Sequence, residues 1–243
     1  MTEKEKQQIL KGHTNISFHV ENYFLQEKVF NGLNHLSNYD GLAQFNFVPK
    51  LIANNEKESI WEWIDGTELN QPEDQDLIQL ATHLKKIHNS DLKLAPFLIK
   101  KRIVAYRKIY NEKKIKIPIM EKLYRKINLI LKNMDKTTPI HGDLWQQNIL
   151  KTKENKLYLI DWEYSHMGDH HFELAYIIEA FKMSKEQEMT FLNAYEDYNP
   201  HFLKNHKILV NYLTILWLYT YEKLPFSDQP SINKLIELYE ENN

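Results

Sequence analysis

Residues 141–164 constrain this chain more than any other stretch. They read HGDLWQQNILKTKENKLYLIDWEY. A histidine-glycine-aspartate triplet follows the apolar pair Pro139 and Ile140, and a second apolar run ends at Asp161. The pattern predicts two short strands or strand-loop units: the loop after the first carries Asp143 and Asn148, and the end of the second brings Asp161 beside them. Two carboxylates and a carboxamide then converge. A fold that holds this chain must supply a strand-loop-strand platform in its carboxyl-terminal half.

Upstream of that platform the pattern is different. NISFHVENYFLQ alternates around Glu21 and Asn22, as two strands joined by a tight turn do. Val29, Phe30, Leu33 and Leu36 fall at helical spacing and predict a short helix over residues 27–36. FNFVPKLIA and SIWEWIDG read as further strands, the first with Pro49 confined to its edge or entry. From LIQLATHLKKIH onward, with apolar residues at Leu77, Leu80, Ala81, Leu84 and Ile87, helices dominate. The composition shift near residue 67 predicts a β-rich lobe over residues 1–66 and a larger helical lobe over residues 67–243, an α+β architecture with two lobes.

Composition narrows the partners. With 31 basic against 33 acidic residues the net charge is -2, which removes the electrostatic reason to expect a nucleic acid or an anionic membrane. The absence of cysteine excludes disulfides, thiolate nucleophiles and cysteine metal sites and fits a reducing cytoplasm. The charged start MTEKEKQQILKG does not read as a signal peptide. The apolar run over residues 208–221 is broken by Asn211 and two threonines, falls short of the ~20 residues of a membrane span, and reads as a buried helix. A small-molecule partner is the expectation.

The trio Asp143, Asn148 and Asp161 suits phosphoryl transfer, which needs a carboxylate to orient an attacking hydroxyl and hard oxygen ligands to hold Mg²⁺ against phosphates. HGDLWQQN with IDWEY resembles the catalytic loop and metal motif of the aminoglycoside phosphotransferase and choline kinase superfamily, relatives of the protein kinases. The spacing is similar to the kinase pattern of an Asp followed five positions later by an Asn and then by a metal-binding Asp. The resemblance implies a two-lobed kinase-like fold, Asp143 as base, Asn148 and Asp161 as Mg²⁺ ligands, and ATP between the lobes. His141 and Gly142 would shape the loop. YLIDWEYSHMGDHHFELA is most similar to the bacterial choline kinase and thiamine kinase branch, with Glu173 where the family's GDxxxDLA has its second aspartate. LATHLKKIHNS resembles a helix of these kinases ending at His88, a packing or capping residue.

The resemblance extends to the amino-terminal lobe. LKGHTNISF is similar to the family's glycine-containing phosphate loop, so Gly12, Thr14 and Asn15 would approach the phosphates. SIWEWIDG falls where the family's interlobe hinge lies, so that backbone groups from Glu62 to Ile64 would meet adenine, with Trp61 or Trp63 packing nearby. Where relatives carry a basic residue on the third strand this chain has Gln26. Lys28, two positions on, is the candidate replacement, and Glu27 the candidate helix acid; a surface charge pair is the other reading of these two.

For the acceptor, the candidates are Trp145, Glu163 and Trp217, with Tyr164, Tyr219 and Tyr221 nearby. Aromatic faces and a carboxylate suit a quaternary ammonium or thiazolium cation; packing in the core is the other reading of the aromatics. His166, His170 and His171 do not form the ordered set that zinc needs. The lysine-rich residues 100–116 read as a solvated helix face and connector. The expected activity is ATP- and Mg²⁺-dependent transfer to the hydroxyl of a small cationic alcohol, choline first, then thiamine, ethanolamine or an aminoglycoside. A catalytically silent pseudokinase that binds or regulates is the alternative from another class. The oligomeric state stays open.

Overall fold

The computed structural model describes residues 6–10, 12 and 14–241; Lys11 and His13, within the phosphate-loop stretch, lie outside the described residues. Five antiparallel strands form the first layer: β1 (Gln7–Ile9), β2 (Ile16–Val20), β3 (Tyr23–Glu27), β4 (Leu51–Asn54) and β5 (Glu58–Glu62), in the order β1-β2-β3-β5-β4. Glu21, at φ 55, makes the tight turn between β2 and β3. Register places Ser17, Gln26 and Ser59 directly opposite one another across three strands, and all three are buried. A row of neutral polar side chains therefore lies on one face of the sheet.

The rest is mainly helical, as the family resemblance implies. It contains α1 (Asp74–His88), α2 (Ile99–Glu112), α3 (Pro118–Asn133), α4 (His170–Phe181), α5 (Lys185–Tyr195), α6 (Pro200–Leu218) and α7 (Gln229–Glu240). Between them lie two small sheets, β6 (Gly66–Glu68) with β8 (Ile149–Thr152) and β9 (Leu157–Leu159), and β7 (Thr138–Ile140) with β10 (His166–Gly168). A reciprocal capping box between Glu73 and Asp76 starts α1, and its stripe of Leu77, Leu80, Ala81, Leu84 and Ile87 is buried against the core. Asn199 caps α6 through the amides of His201 and Phe202 with Pro200 in the first turn, and apolar residues bury this helix on most sides. No helix among the described residues is long and apolar enough to cross a membrane.

Two expected elements differ. Residues 45–48 are not strand; Phe45, Phe47 and Val48 are buried in the core, Phe47 stacked on His83, and β4 begins only after Pro49. The helix expected over residues 27–36 does not form. Instead the Asn31 side chain accepts from the Leu33 amide, the Asn34 side chain accepts from the Asn31 amide and donates to the Val29 carbonyl, and Gly32 and His35 take left-handed φ values of 81 and 53. These side chains outcompete the helical ladder, and three of the four residues of the helical stripe, Val29, Phe30 and Leu36, are exposed, with Leu33 partly buried against the core. The segment is a strap from β3 to the other lobe: the His35 amide donates to the Glu163 carbonyl at 2.7 Å and Ser37 Oγ to the Ser165 carbonyl at 2.6 Å.

Candidate active site

The loop after β7 and the loop after β9 are tied at one residue. Ile160 accepts from His141 Nε2 at 2.8 Å and its amide donates to the Asn148 carbonyl at 3.0 Å. Because a carbonyl only accepts, His141 carries its proton on Nε2, and burial keeps the ring neutral by lowering its pKa. Gly142 has φ 79, and a Cβ there would lie 2.7 Å from the Tyr164 carbonyl and 2.9 Å from the His166 ring, so only glycine fits. Asp161 itself sits in the left-handed region at φ 62, an uncommon conformation for a residue with a side chain.

Around this loop the second lobe builds a buried cradle. Glu173 accepts the Gly142 amide at 2.7 Å on one oxygen and His88 Nε2 at 2.9 Å on the other, while His88 Nδ1 meets the Tyr195 hydroxyl at 2.8 Å. Burial opposes ionisation of Glu173, but the His88 bond and charge, the His141 ring and the Gly142 amide together outweigh it and hold the carboxyl below its ordinary range. The longer acid thus reaches the catalytic loop from α4, and His88 is its partner. Asp143 accepts the Tyr176 hydroxyl at 3.0 Å and lies 3.8 Å from the Arg102 guanidinium, which also donates to the Gly142 carbonyl at 3.1 Å and covers the Tyr164 ring at 4.7 Å. Asn148 Nδ2 donates to the Asp143 carbonyl at 2.7 Å.

Two cavities meet here. The first, about 540 Å³, lies under the five-stranded sheet and is lined by Gly12, Thr14, Asn15, Glu62, Ile64 and Gln26, together with Asn148 and Asp161. The second, about 580 Å³, is lined by Asp143, Trp145, Arg102, Tyr176, Glu179 and Trp217, among others. Gly12, Thr14, Asn148, Asp161 and Glu163 line both. The Trp145 and Trp217 rings stand edge to face at 5.5 Å, with Phe226 6.2 and 6.0 Å from them. Glu179, held by Asn211 Nδ2 at 2.8 Å, adds a carboxyl whose pKa burial raises.

Asp161, half-buried, lies beside the buried Glu163. Burial, then the charge of Asp143, pushes Asp161 up to about 6 against the Gln26 hydrogen bond; burial, then the charge of Asp161, pushes Glu163 up to about 8. The Nδ2 groups of Asn15 and Asn34 both donate to Glu163 Oε2, at 2.9 and 2.7 Å. A divalent cation fits this oxygen-rich junction: Asn148 spends its NH₂ end on the loop, leaving its carbonyl oxygen as a hard ligand, and a cation would hold crowded carboxyls ionised.

Not every expected residue arrives. Lys28 Nζ donates to Asn54 Oδ1 and to the Asn55 carbonyl, both at 2.6 Å, and lines neither cavity. Glu27 pairs with Lys6 at 2.6 Å on the surface. The structure therefore places Lys28 at the β4-β5 turn, away from the nucleotide-side cavity, because β3 ends before it and the chain turns into the strap. Tyr219 bonds Asp228 at 2.8 Å and lines neither cavity. His170 and His171 stand near Asp169, but Asp169 caps α4, and both ring nitrogens of His171 are bound, to Asp169 and to the Asn199 amide, at 2.9 Å each. Arg102, Tyr176, Glu179 and Phe226 escaped the sequence reading. Arg102 had a signal: it lies inside the inward stripe Ile99, Ile103, Tyr106 and Tyr110 and is only 4% exposed.

Comparison with known proteins agrees with this geometry. Residues 33–204 match the model of the phosphotransferase enzyme family. The chain is 42% identical over 239 residues to the protein LicA homolog of Mycoplasma capricolum, covering 96% of this chain and 99% of that one. It is also 42% identical to the LicA homolog of Metamycoplasma hominis, covering 95% and 94%. Among solved structures, the choline kinase LicA of Streptococcus pneumoniae superposes with a TM-score of 0.75 at 22% identity, over 97% of this chain and 92% of that one. An ADP-bound aminoglycoside phosphotransferase does so at 0.64 and 16%, over 98% and 93%. The kinase-like fold is thus shared, and the chain belongs to the phosphotransferase enzyme family.

Proposed function

We propose that the protein transfers the γ-phosphoryl group of ATP to the hydroxyl of a small cationic alcohol, with choline as the preferred acceptor. The observation that carries this reading is the junction of two cavities at Asn148 and Asp161, with Asp143 on one side and a nucleotide-sized cleft on the other. ATP would lie under the sheet, its adenine beside Glu62 and Ile64 and its phosphates near Gly12, Thr14 and Asn15. Asn148 and Asp161 would hold Mg²⁺, which neutralises charge developing on the phosphates.

Asp143 orients the acceptor hydroxyl and takes its proton as the oxygen attacks the γ-phosphorus and the bond to the β-phosphate oxygen breaks, releasing ADP. Tyr176 and Arg102 fix the direction of that carboxylate. Trp145, Trp217 and Phe226 offer ring faces to a quaternary ammonium group, which has no N–H to donate, while Glu163 and Glu179 supply negative charge. The name of the pneumococcal structural neighbour, a choline kinase, supports this acceptor. The lobe boundary near residue 67 belongs to the same reading: the first sheet ends at Glu62, and β6 at Gly66 already pairs with β8.

The test is ADP release from Mg-ATP with choline, thiamine, ethanolamine or kanamycin supplied separately. Turnover with choline above the others supports the proposal; turnover with none, and no Mg-ATP binding, returns the pseudokinase reading.

A further inference from the structure

The strap over residues 27–36 reaches the side chain of Asn15, which lines the cavity under the sheet. Three hydrogen bonds leave the Asn15 carboxamide one orientation. The Val29 amide, which can only donate, donates to Oδ1 at 3.0 Å, and His35 Nε2 meets the same oxygen at 2.9 Å. The other end, Nδ2, therefore faces Glu163 Oε2, to which it donates at 2.9 Å. Asn34, fully buried, donates to that same carboxylate oxygen from the strap at 2.7 Å.

The tautomer of His35 follows from these partners. Its Nε2 faces two acceptors, Asn15 Oδ1 and, at 3.3 Å, Glu163 Oε2, so the ring proton sits there. Nδ1 is then the acceptor for the Tyr39 hydroxyl at 3.2 Å, and burial keeps the ring neutral by lowering its pKa to about 4. The His35 side chain is 1% exposed and Tyr39 is 2% exposed. Neither lines either cavity, so whatever they do to a ligand they do through Asn15.

We propose that His35, oriented by Tyr39, is a positioning residue for the nucleotide: it holds the Asn15 side chain between the strap and Glu163, so that this phosphate-loop residue is ordered before ATP arrives. This rests on the nucleotide reading above. An asparagine that rotates in the empty cleft must be ordered on binding, at the expense of affinity; one already held by three partners is not. The strap thus acts on the nucleotide from outside the cleft, through a chain of neutral hydrogen bonds that runs from Tyr39 through His35 to Asn15.

The experiment is calorimetric titration of Mg-ATP into wild-type protein, His35→Phe, His35→Gln, Tyr39→Phe and Ser37→Ala, after thermal melts confirm folding. His35→Phe keeps a ring against Phe30 but removes the donor, and should weaken binding about 10-fold. His35→Gln, whose amide nitrogen replaces Nε2, should recover binding to within about threefold of wild type, and Tyr39→Phe should weaken it about threefold. Ser37→Ala is the control for a merely structural role. It breaks the strap's bond to the Ser165 carbonyl and should lower Tm while leaving Mg-ATP affinity within about twofold of wild type. His35→Phe within about twofold of wild type, or Ser37→Ala as weak as His35→Phe, would overturn the inference. So would His35→Gln no tighter than His35→Phe. Absence of Mg-ATP binding in the wild type would overturn the nucleotide reading and this inference together, whereas variants equal to a wild type that binds would overturn this inference alone. If His35→Phe does not fold, Tyr39→Phe indistinguishable from wild type overturns it.

Discussion

The two sides of the cleft are built on opposite electrostatic plans. On the catalytic side a buried arginine, a buried histidine-glutamate pair and a tyrosine hydroxyl converge on the loop that carries Asp143. On the side under the sheet, the described strands line the cavity with Ser17 and Gln26, both neutral, and Lys28 is held at a surface turn. The difference teaches that this fold surrounds the Asp143 loop with buried charged partners, whereas the described strands of the sheet meet the cavity with neutral polar side chains.

The comparison breaks most sharply at Asp143. Asp143→Asn, which keeps the shape but removes the proton acceptor, should lower kcat about 1000-fold while leaving Mg-ATP affinity unchanged, as steady-state ADP release and calorimetry would register. Next comes the support of the loop. Glu173→Ala strands the Gly142 amide and His88 without their buried acceptor, so stability in urea should fall by about 3 kcal/mol. The conservative Glu173→Gln should recover part of that loss.

Trp145→Ala sharpens the acceptor side. Loss of one ring of the aromatic group should raise KM for choline about 30-fold, with a smaller change in kcat and none in Mg-ATP affinity. The smallest effect is on pH stability. Burial lowers His35, His166 and His170 from an ordinary 6.5 to about 4. The unfolded chain takes up these protons first, so this contribution is complete above pH 6.5 and is lost as pH falls toward 4. Asp161 and Glu163, raised to about 6 and about 8, work in the opposite direction over the same range, so the net drop in Tm between pH 7 and pH 5 should be only a few degrees, roughly 5 °C, and His35→Gln should blunt it.

How much of this was legible in the sequence follows the same division. The strand-loop-strand platform, the α1 stripe and the Asp143, Asn148 and Asp161 cluster come from local pattern: a few residues whose spacing alone places them together. Glu173 and His88 were visible as a departure and a helix end, but their bond joins residues 85 positions apart. The misread strap over residues 27–36 has a local cause, since helical apolar spacing coexists there with asparagines that bond to the backbone. Lys28 was placed by continuing a strand that stops at Glu27. Arg102 was hidden because a lysine-rich helix advertises its solvent face, and only the inward stripe betrays a cation that turns to the loop carrying Asp143.

The central claim is phosphoryl transfer to an alcohol at the junction of the two cavities. Phosphorus-31 NMR of Mg-ATP with choline, run with wild-type protein and with Asp143→Asn, tests it most directly. The account predicts a new phosphomonoester signal, formed in step with ADP, from the wild type alone. Inorganic phosphate without a phosphomonoester, or equal phosphomonoester from both proteins, would contradict it.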